Sequence, residues 1–124
     1  MNCLDVYVSL HRSEGFGLTI AEAMAMGKPV IASNYSGNLN FMDEGMFGLV
    51  ETNLIKTSEG HGPYPKNTQW GDPDVHCAAR IMIELISRDK RSEIGNVCRS
   101  MALANLNAEG AAKILKEVIN AHEY

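Results

Sequence analysis

The sequence is poor in the features that would place it outside a reducing, aqueous setting. It has three cysteines, Cys3, Cys77 and Cys98, odd in number and widely spaced. That pattern argues against a disulfide framework and suits reduced thiols, so a cytoplasmic location is expected. No apolar run approaches the ~18 residues needed to span a membrane, so no transmembrane segment is expected. The basic-then-apolar order of a signal peptide is absent as well. The sequon Asn34-Tyr35-Ser36 is then an accident of composition. Positive charge is in deficit, with a net charge of −4. No basic run and no aromatic series supports a nucleic-acid surface. His11, His61, His76 and His122 are scattered and share no metal-ligand spacing with the cysteines, so no metal is expected. No internal repeat or low-complexity tract appears.

What is present is one domain at most, 124 residues with a hydrophobic content of 45%, sufficient for a core. Its most informative stretch is Glu14-Gly15-Phe16-Gly17-Leu18-Thr19-Ile20-Ala21-Glu22, followed by Ala23-Met24-Ala25-Met26-Gly27-Lys28-Pro29-Val30-Ile31. Before it, Asp5 to Leu10 is a short apolar run with β-branched residues, which reads as a central parallel strand. His11-Arg12-Ser13 is the turn at its carboxyl end. A helix starts near Leu18, with Leu18, Ala21, Met24 and Ala25 on one face. Gly27 is a natural left-handed stop, and Pro29 prevents continuation. Val30-Ile31-Ala32 forms the second strand, and Ser33 to Gly37 its carboxyl-end loop. Asn38 to Asp43 reads as a short helix and Phe47 to Val50 as a third strand. These elements form a βαβ unit over residues 5–51.

Residues 52–71 show no clear period, and Gly60, Gly62, Pro63 and Pro65 make them a long loop. Three helices are expected over 72–122. Asp72-Pro73 supplies an N-cap and a first-turn proline. Val75, Ala78, Ala79, Met82 and Ile86 form the first apolar stripe. Ile94, Val97, Cys98 and Met101 form the second, and Ala111, Ile114, Leu115 and Val118 the third. All three stripes read most simply as core faces. The expected fold is α/β, a partial Rossmann-like domain with a parallel sheet of about three strands. So small a sheet should leave an edge or face bare, which predicts self-association or poor solubility.

In open α/β sheets, ligands bind outside the carboxyl ends of the strands. Glu14 to Gly17 lie there. The stretch offers an anion backbone N–H groups and a helix N-terminus, with carboxylates to accept from hydroxyls. A phosphate attached to a sugar has both kinds of group. Eight residues separate Glu14 from Glu22, roughly 12 Å along a helix. That suits two ends of an extended ligand. It is too long for the carboxylate pair of a retaining hydrolase, which stands about 5–5.5 Å apart. Gly15-Phe16-Gly17 lacks the third glycine and the spacing of a dinucleotide fingerprint. Read without its neighbours, Glu14 is a solvated loop carboxylate and Glu22 an ordinary helix-surface residue.

The run resembles the Glu-x7-Glu motif of retaining glycosyltransferases of family 4, built from two Rossmann-like domains (the GT-B type). Gly27-Lys28-Pro29-Val30-Ile31 and Tyr35-Ser36-Gly37-Asn38 extend the match. It runs from about Asp5 to Met42, and continues more loosely through Pro63-Tyr64-Pro65 and the run from Trp70 to Val75 to the end of the sequence. The resemblance implies sugar transfer from a nucleotide-sugar donor with retention of configuration, and it implies no tightly bound metal. By it, Glu14 would accept from the donor sugar's hydroxyls and help stabilise charge developing on the ring. Gly15, Phe16 and Gly17 would give N–H groups to the sugar. Leu18 and Thr19 would give theirs to phosphate, and Glu22 would hold the ribose hydroxyls. Arg12 is open to a phosphate contact or a plain surface role. Ser36-Gly37-Asn38 would lie near the donor.

The family's upstream phosphate-binding residues, nucleobase pocket and acceptor domain have no counterpart in the sequence. The expectation is therefore the carboxyl-terminal part of a donor-binding domain, incomplete alone and reliant on an N-terminal domain or partner chain. The alternatives are a non-catalytic nucleotide-sugar-binding or protein-interaction module, or half of a split enzyme. A sugar-phosphate phosphorylase or epimerase on a similar fold ranks below these.

Overall fold

The computed structural model describes residues 3–60 and 62–121, with 114, 115 and 117–121 described by backbone alone. Ten elements follow in order. They are β1 (Tyr7–Ser9), α1 (Leu18–Ala25), β2 (Val30–Ser33), a 3-10 turn (Gly37–Asn40), β3 (Leu49–Val50), β4 (Thr52–Lys56), β5 (Gln69–Pro73), α2 (Val75–Glu84), α3 (Arg88–Asn105) and α4 (Ala108–Ala121). The first three strands make a parallel sheet in the order β1-β2-β3. Tyr7 pairs with Val30 and Ala32 with Leu49. This is the small α/β sheet with flanking helices that the sequence implies.

The apolar strand β2 is the centre. Val30, Ile31, Ala32 and Ser33 are all fully buried, so both faces of the strand are covered, as an unbroken apolar run requires. Ile20 and Met24 of α1 pack into the same cluster with Phe41, Met42, Val50 and Cys98. Fully burying side chains of this size contributes about 1.5–3 kcal/mol each. The face of α1 differs from expectation. Ile20, Ala21, Ala23 and Met24 are inside, while Leu18 and Ala25 are exposed. An eight-residue helix has only two turns, and a one-residue change of phase fits its pattern equally well.

The stop of α1 is as the sequence implies. Gly27 has φ +69°, its N–H donates to the Met24 carbonyl, and the Lys28 N–H donates to the Ala23 carbonyl. This is the paired closure that glycine allows after a helix. The cap also positions α3. A Cβ on Gly95 would run into the Gly27 carbonyl oxygen and lie 3.4 Å from Pro29 Cδ. The two helices therefore meet backbone to backbone at that point.

Residues 52–71 are not loop throughout, since strands occupy both ends of the span. β4 and β5 pair antiparallel from Thr52–Pro73 to Lys56–Gln69. β5 contains Gly71, Asp72 and Pro73, all of types depleted in strands. Packing explains the glycine, since a Cβ there would sit 2.8 Å from the Tyr35 ring and 2.9 Å from Thr52 Cγ2. The following helix also starts later than Asp72-Pro73 implies. Asp74 is the N-cap, its carboxylate accepting from the N–H groups of His76 and Cys77.

The apolar stripe read on α2 faces the wrong way. Ala78 and Leu85 are buried, and Cys77 and Ile81 pack on the core, but Val75, Met82, Ile83 and Ile86 are exposed. Apolar residues occur nearly all round this helix, so periodicity did not select a face. In α3, Ile94 and Cys98 are buried as expected and Val97 is not. Burial pushes the Cys98 thiol up in pKa. In α4, Ala111 is exposed, and the side chains of Ile114, Leu115 and Val118 lie outside the described residues. No helix among the described residues is long and apolar enough to cross a membrane.

Gly95→Ala sets a helix-propensity gain of about 1 kcal/mol against a clash with backbone that cannot rotate away. Overpacking of this kind costs about 1–3 kcal/mol. A net loss of stability is expected in urea unfolding, and a more stable variant would contradict the α1–α3 contact. Asp74 gives a second expectation. Its two N–H donors hold the carboxyl below its ordinary pKa of 3.8, so its contribution is complete above that value and fades as pH falls through the lower folded pKa. Asp74→Asn keeps a competent cap without the titration. The variant should therefore lose less stability than the parent between pH 5 and pH 2.5, and equal losses would contradict the assignment.

Candidate functional site

The segment from His11 to Gly17 leaves β1 at its carboxyl end, and the segment from Asn34 to Asn38 leaves β2 at the same end. Part-buried hydrogen bonds tie the two together. Ser33, fully buried, donates from its hydroxyl to the His11 carbonyl at 2.7 Å. Asn38, also fully buried, donates its amide to the Ser33 carbonyl at 3.0 Å. Its Oδ1 therefore faces His11 Nε2, also at 3.0 Å. The same Nε2 lies 2.9 Å from the Tyr35 carbonyl. Both of those partners only accept, so Nε2 carries the proton. In the neutral ring, Nδ1 then accepts from the Ser9 hydroxyl, 3.2 Å away. Among the described residues no buried side-chain N or O atom lacks a partner.

Glu14 sits on this frame. Its N–H donates to Ser36 Oγ at 3.1 Å, and the same hydroxyl donates to the Glu14 carbonyl at 2.6 Å. The Gly37 N–H reaches that carbonyl too, at 3.1 Å. Ser36 holds φ +82° and ψ −154°, a region almost confined to glycine and costing about 1–3 kcal/mol for other residues. A Cβ on Gly37 would enter the backbone of Gly15 and Phe16, so only glycine lets the loops lie this close.

From Gly15 the chain turns into α1. Gly15 borders open space. Phe16 is partly exposed and packs on Phe41, with ring centroids 5.3 Å apart. Gly17 is buried at φ +89°, and a Cβ there would press on Ile20, Asn38 and Phe41 at 3.3–3.4 Å. As the N-cap of α1, Gly17 has no side chain to accept from the first turn. The N–H groups of Leu18 and Thr19 therefore have no acceptor within the helix, and its positive end faces outward. The Thr19 side chain is engaged elsewhere, accepting from the Tyr7 hydroxyl at 2.8 Å. Glu22 is exposed one turn further on. Neither described ion pair, Arg12–Asp72 or Arg91–Asp5, uses a motif glutamate.

The seven residues singled out in sequence, Glu14 to Thr19 and Glu22, thus share one turn and the first five residues of one helix. Ser36-Gly37-Asn38 is not merely nearby but in direct contact with Glu14 and Gly15. His11 is the hub of the frame, a role its place in a turn did not reveal. Arg12 pairs with Asp72 of β5 at 3.1 Å, both side chains half exposed, while the Gly71 N–H donates to the Arg12 carbonyl at 2.8 Å. The hairpin therefore stands against the site. The resemblance had marked Ser36 and Asn38 as near the donor, but the only sign in sequence of the bonds that they and Ser33 make was a density of short polar side chains after an apolar strand. A cleft of about 420 Å³ opens beside Phe16, walled by the α3–α4 junction at Asn105, Leu106 and Asn107. Among the described residues no group of three His, Cys, Asp or Glu side chains could hold a metal. His61 and His122 lie outside them.

A family model described as "Glycosyl transferases group 1" matches residues 1–55. Over 118 residues the chain is 29% identical to the UDP-N-acetylglucosamine--peptide N-acetylglucosaminyltransferase GtfA subunit of Streptococcus gordonii, covering 92% of this chain and 21% of that protein. It is 46% identical over 44 residues to the O-antigen biosynthesis glycosyltransferase WclY of Escherichia coli, covering 36% of this chain and 12% of that protein. Over a further match of 44 residues it is 44% identical to the sucrose synthase of Melioribacter roseus, covering 36% of this chain and 6% of that protein. The chain thus spans about a fifth or less of the length of these relatives. The family match falls on the segment that carries β1, the Glu14–Glu22 turn and helix, and β2, and over this segment the chain is similar to glycosyltransferases.

Proposed function

We propose that this chain is the donor-binding part of a retaining glycosyltransferase of family 4, holding a nucleotide sugar at the carboxyl end of its parallel sheet. The observation that carries the reading is the pairing of an uncapped helix start at Gly17 with two glutamates that no described cation neutralises. Backbone N–H groups and a helix N-terminus suit a diphosphate. Carboxylates that keep their lone pairs suit hydroxyls.

In this reading the N–H groups of Leu18 and Thr19 meet the phosphates. They stabilise charge on the departing nucleoside diphosphate, the main electrostatic task of the reaction. Gly15, Phe16 and Gly17 give N–H groups to the sugar, and Glu14 accepts from its hydroxyls, without acting as a general base. Glu22 accepts from the ribose. No metal is assigned. Relatives named for UDP-N-acetylglucosamine favour that donor as the first to test. The acceptor would approach from another domain or chain. The edge of β1 and the exposed α2 stripe of Val75, Met82 and Ile86 are the surfaces such a partner, or a second copy, would cover. A cytoplasmic setting accords with three free cysteines.

A thermal-shift panel of nucleotides and nucleotide sugars tests the reading directly. A ligand at a hundred times its Kd should stabilise the native chain by about 2.7 kcal/mol. The shift should be selective for one base and vanish in Glu22→Ala. A shift retained in that variant removes Glu22 from the site, and no shift with any ligand removes donor binding from this chain. In a polypeptide that also carries the acceptor half, Glu14→Gln should lower turnover by about 100-fold or more. Near-normal turnover would sink the Glu14 role. Sedimentation should show association that rises with concentration and weakens when Ile86 is made serine. A monomer at all concentrations would exclude self-association.

A further inference from the structure

We propose that Ser36 is a positioning residue that fixes the Glu14 peptide, and through it the Glu14 carboxylate, for contact with the donor sugar. This rests on the donor-site reading above and adds to it a residue on a different strand-end loop.

Ser36 occupies φ +82° and ψ −154°, where sterics select glycine. A serine there keeps the backbone penalty and adds one hydroxyl. That hydroxyl accepts from the Glu14 N–H and donates to the Glu14 carbonyl. The next N–H, of Gly37, reaches the same carbonyl. Both polar groups of the Glu14 backbone therefore end on Ser36 and Gly37. On the far side, the Gly37 backbone lies against Gly15 and Phe16 so closely that no side chain fits. Ser36 is itself held from below, since the preceding carbonyl, of Tyr35, accepts from His11 Nε2 at 2.9 Å.

The Glu14 side chain is treated oppositely. It enters neither described ion pair. A clamped backbone with a free carboxylate suits a group whose position must be set before its ligand arrives. Were Ser36 there for folding alone, glycine would serve at least as well, because it removes the backbone strain and leaves Glu14 N–H open to water.

The test is Ser36→Gly in the chain, with Ser36→Ala as a second variant that deletes the hydroxyl but keeps the strained backbone. Amide exchange at Glu14, read by NMR, should accelerate about tenfold or more in both variants. The thermal midpoint should hold or rise in Ser36→Gly and fall in Ser36→Ala. Calorimetric titration should show nucleotide-sugar affinity falling about tenfold while affinity for the matching nucleoside diphosphate stays within about twofold, because only the sugar meets Glu14. Unchanged Glu14 exchange overturns the clamp. Equal losses for both ligands overturn the link to the sugar. A parent chain that binds neither ligand removes the donor reading and the sugar link with it, and the exchange result then decides the clamp alone.

Discussion

His11, Ser33 and Asn38 join the carboxyl ends of β1 and β2 by hydrogen bonds built on two fully buried side chains, Ser33 and Asn38. An unpaired polar group at that depth costs about 1–3 kcal/mol, so the set holds together or fails together. Its geometry has one result that matters. It brings Tyr35 and Ser36 over the segment that follows His11, so that Ser36 and Gly37 can grip Glu14. Glu14 projects from a turn, and turns are ordinarily the least constrained parts of a fold. Here the turn is bound to a second loop, which is bound to the most deeply buried strand of the sheet.

The helix that follows uses the opposite device. Where Glu14 is clamped, the start of α1 is left open. Gly17 brings the chain into the helix through a left-handed conformation and offers no cap. The missing cap leaves donors facing outward, which weakens a free helix but prepares it for an anion. The remaining cost is borne by packing, because Ile20, Ala23 and Met24 are fully buried under the turn. Gly27 and Gly95 hold the far end of α1 against α3. The site is thus rigid at its base and unsatisfied at its rim.

The hairpin and α2 show how partner surfaces follow from the same economy of core. The three-stranded sheet has one helix-sized stripe of α2 to bury and takes Ala78, Ile81 and Leu85. The second apolar stripe, with Val75 and Ile86, stays in solvent. The hairpin is anchored at the site by the Gly71 N–H and the Asp72–Arg12 pair. A half-exposed pair of that kind contributes about 0–1 kcal/mol, so the backbone bond and the Tyr35 packing over Gly71 are the firmer ties.

Sequence alone determined whatever depends on local sterics and short periods. The parallel strands came from apolar runs too short for helices, the stop of α1 from Gly27, and the helix start at Leu18 from the glycines before it. The Glu14–Glu22 spacing on a turn and helix was equally legible. Tertiary structure decided what depends on a choice between equal local options. Helix α2 is apolar on more than one side, and only the sheet could select Ala78 and Leu85 over Val75 and Ile86. Residues 69–73 carry glycine, aspartate and proline, and form a strand because β4 and Tyr35 lie beside them. The grip of Ser36 on Glu14 crosses 22 residues of chain. No local pattern records such a contact, because it exists only once β1 and β2 have paired and brought their ends together.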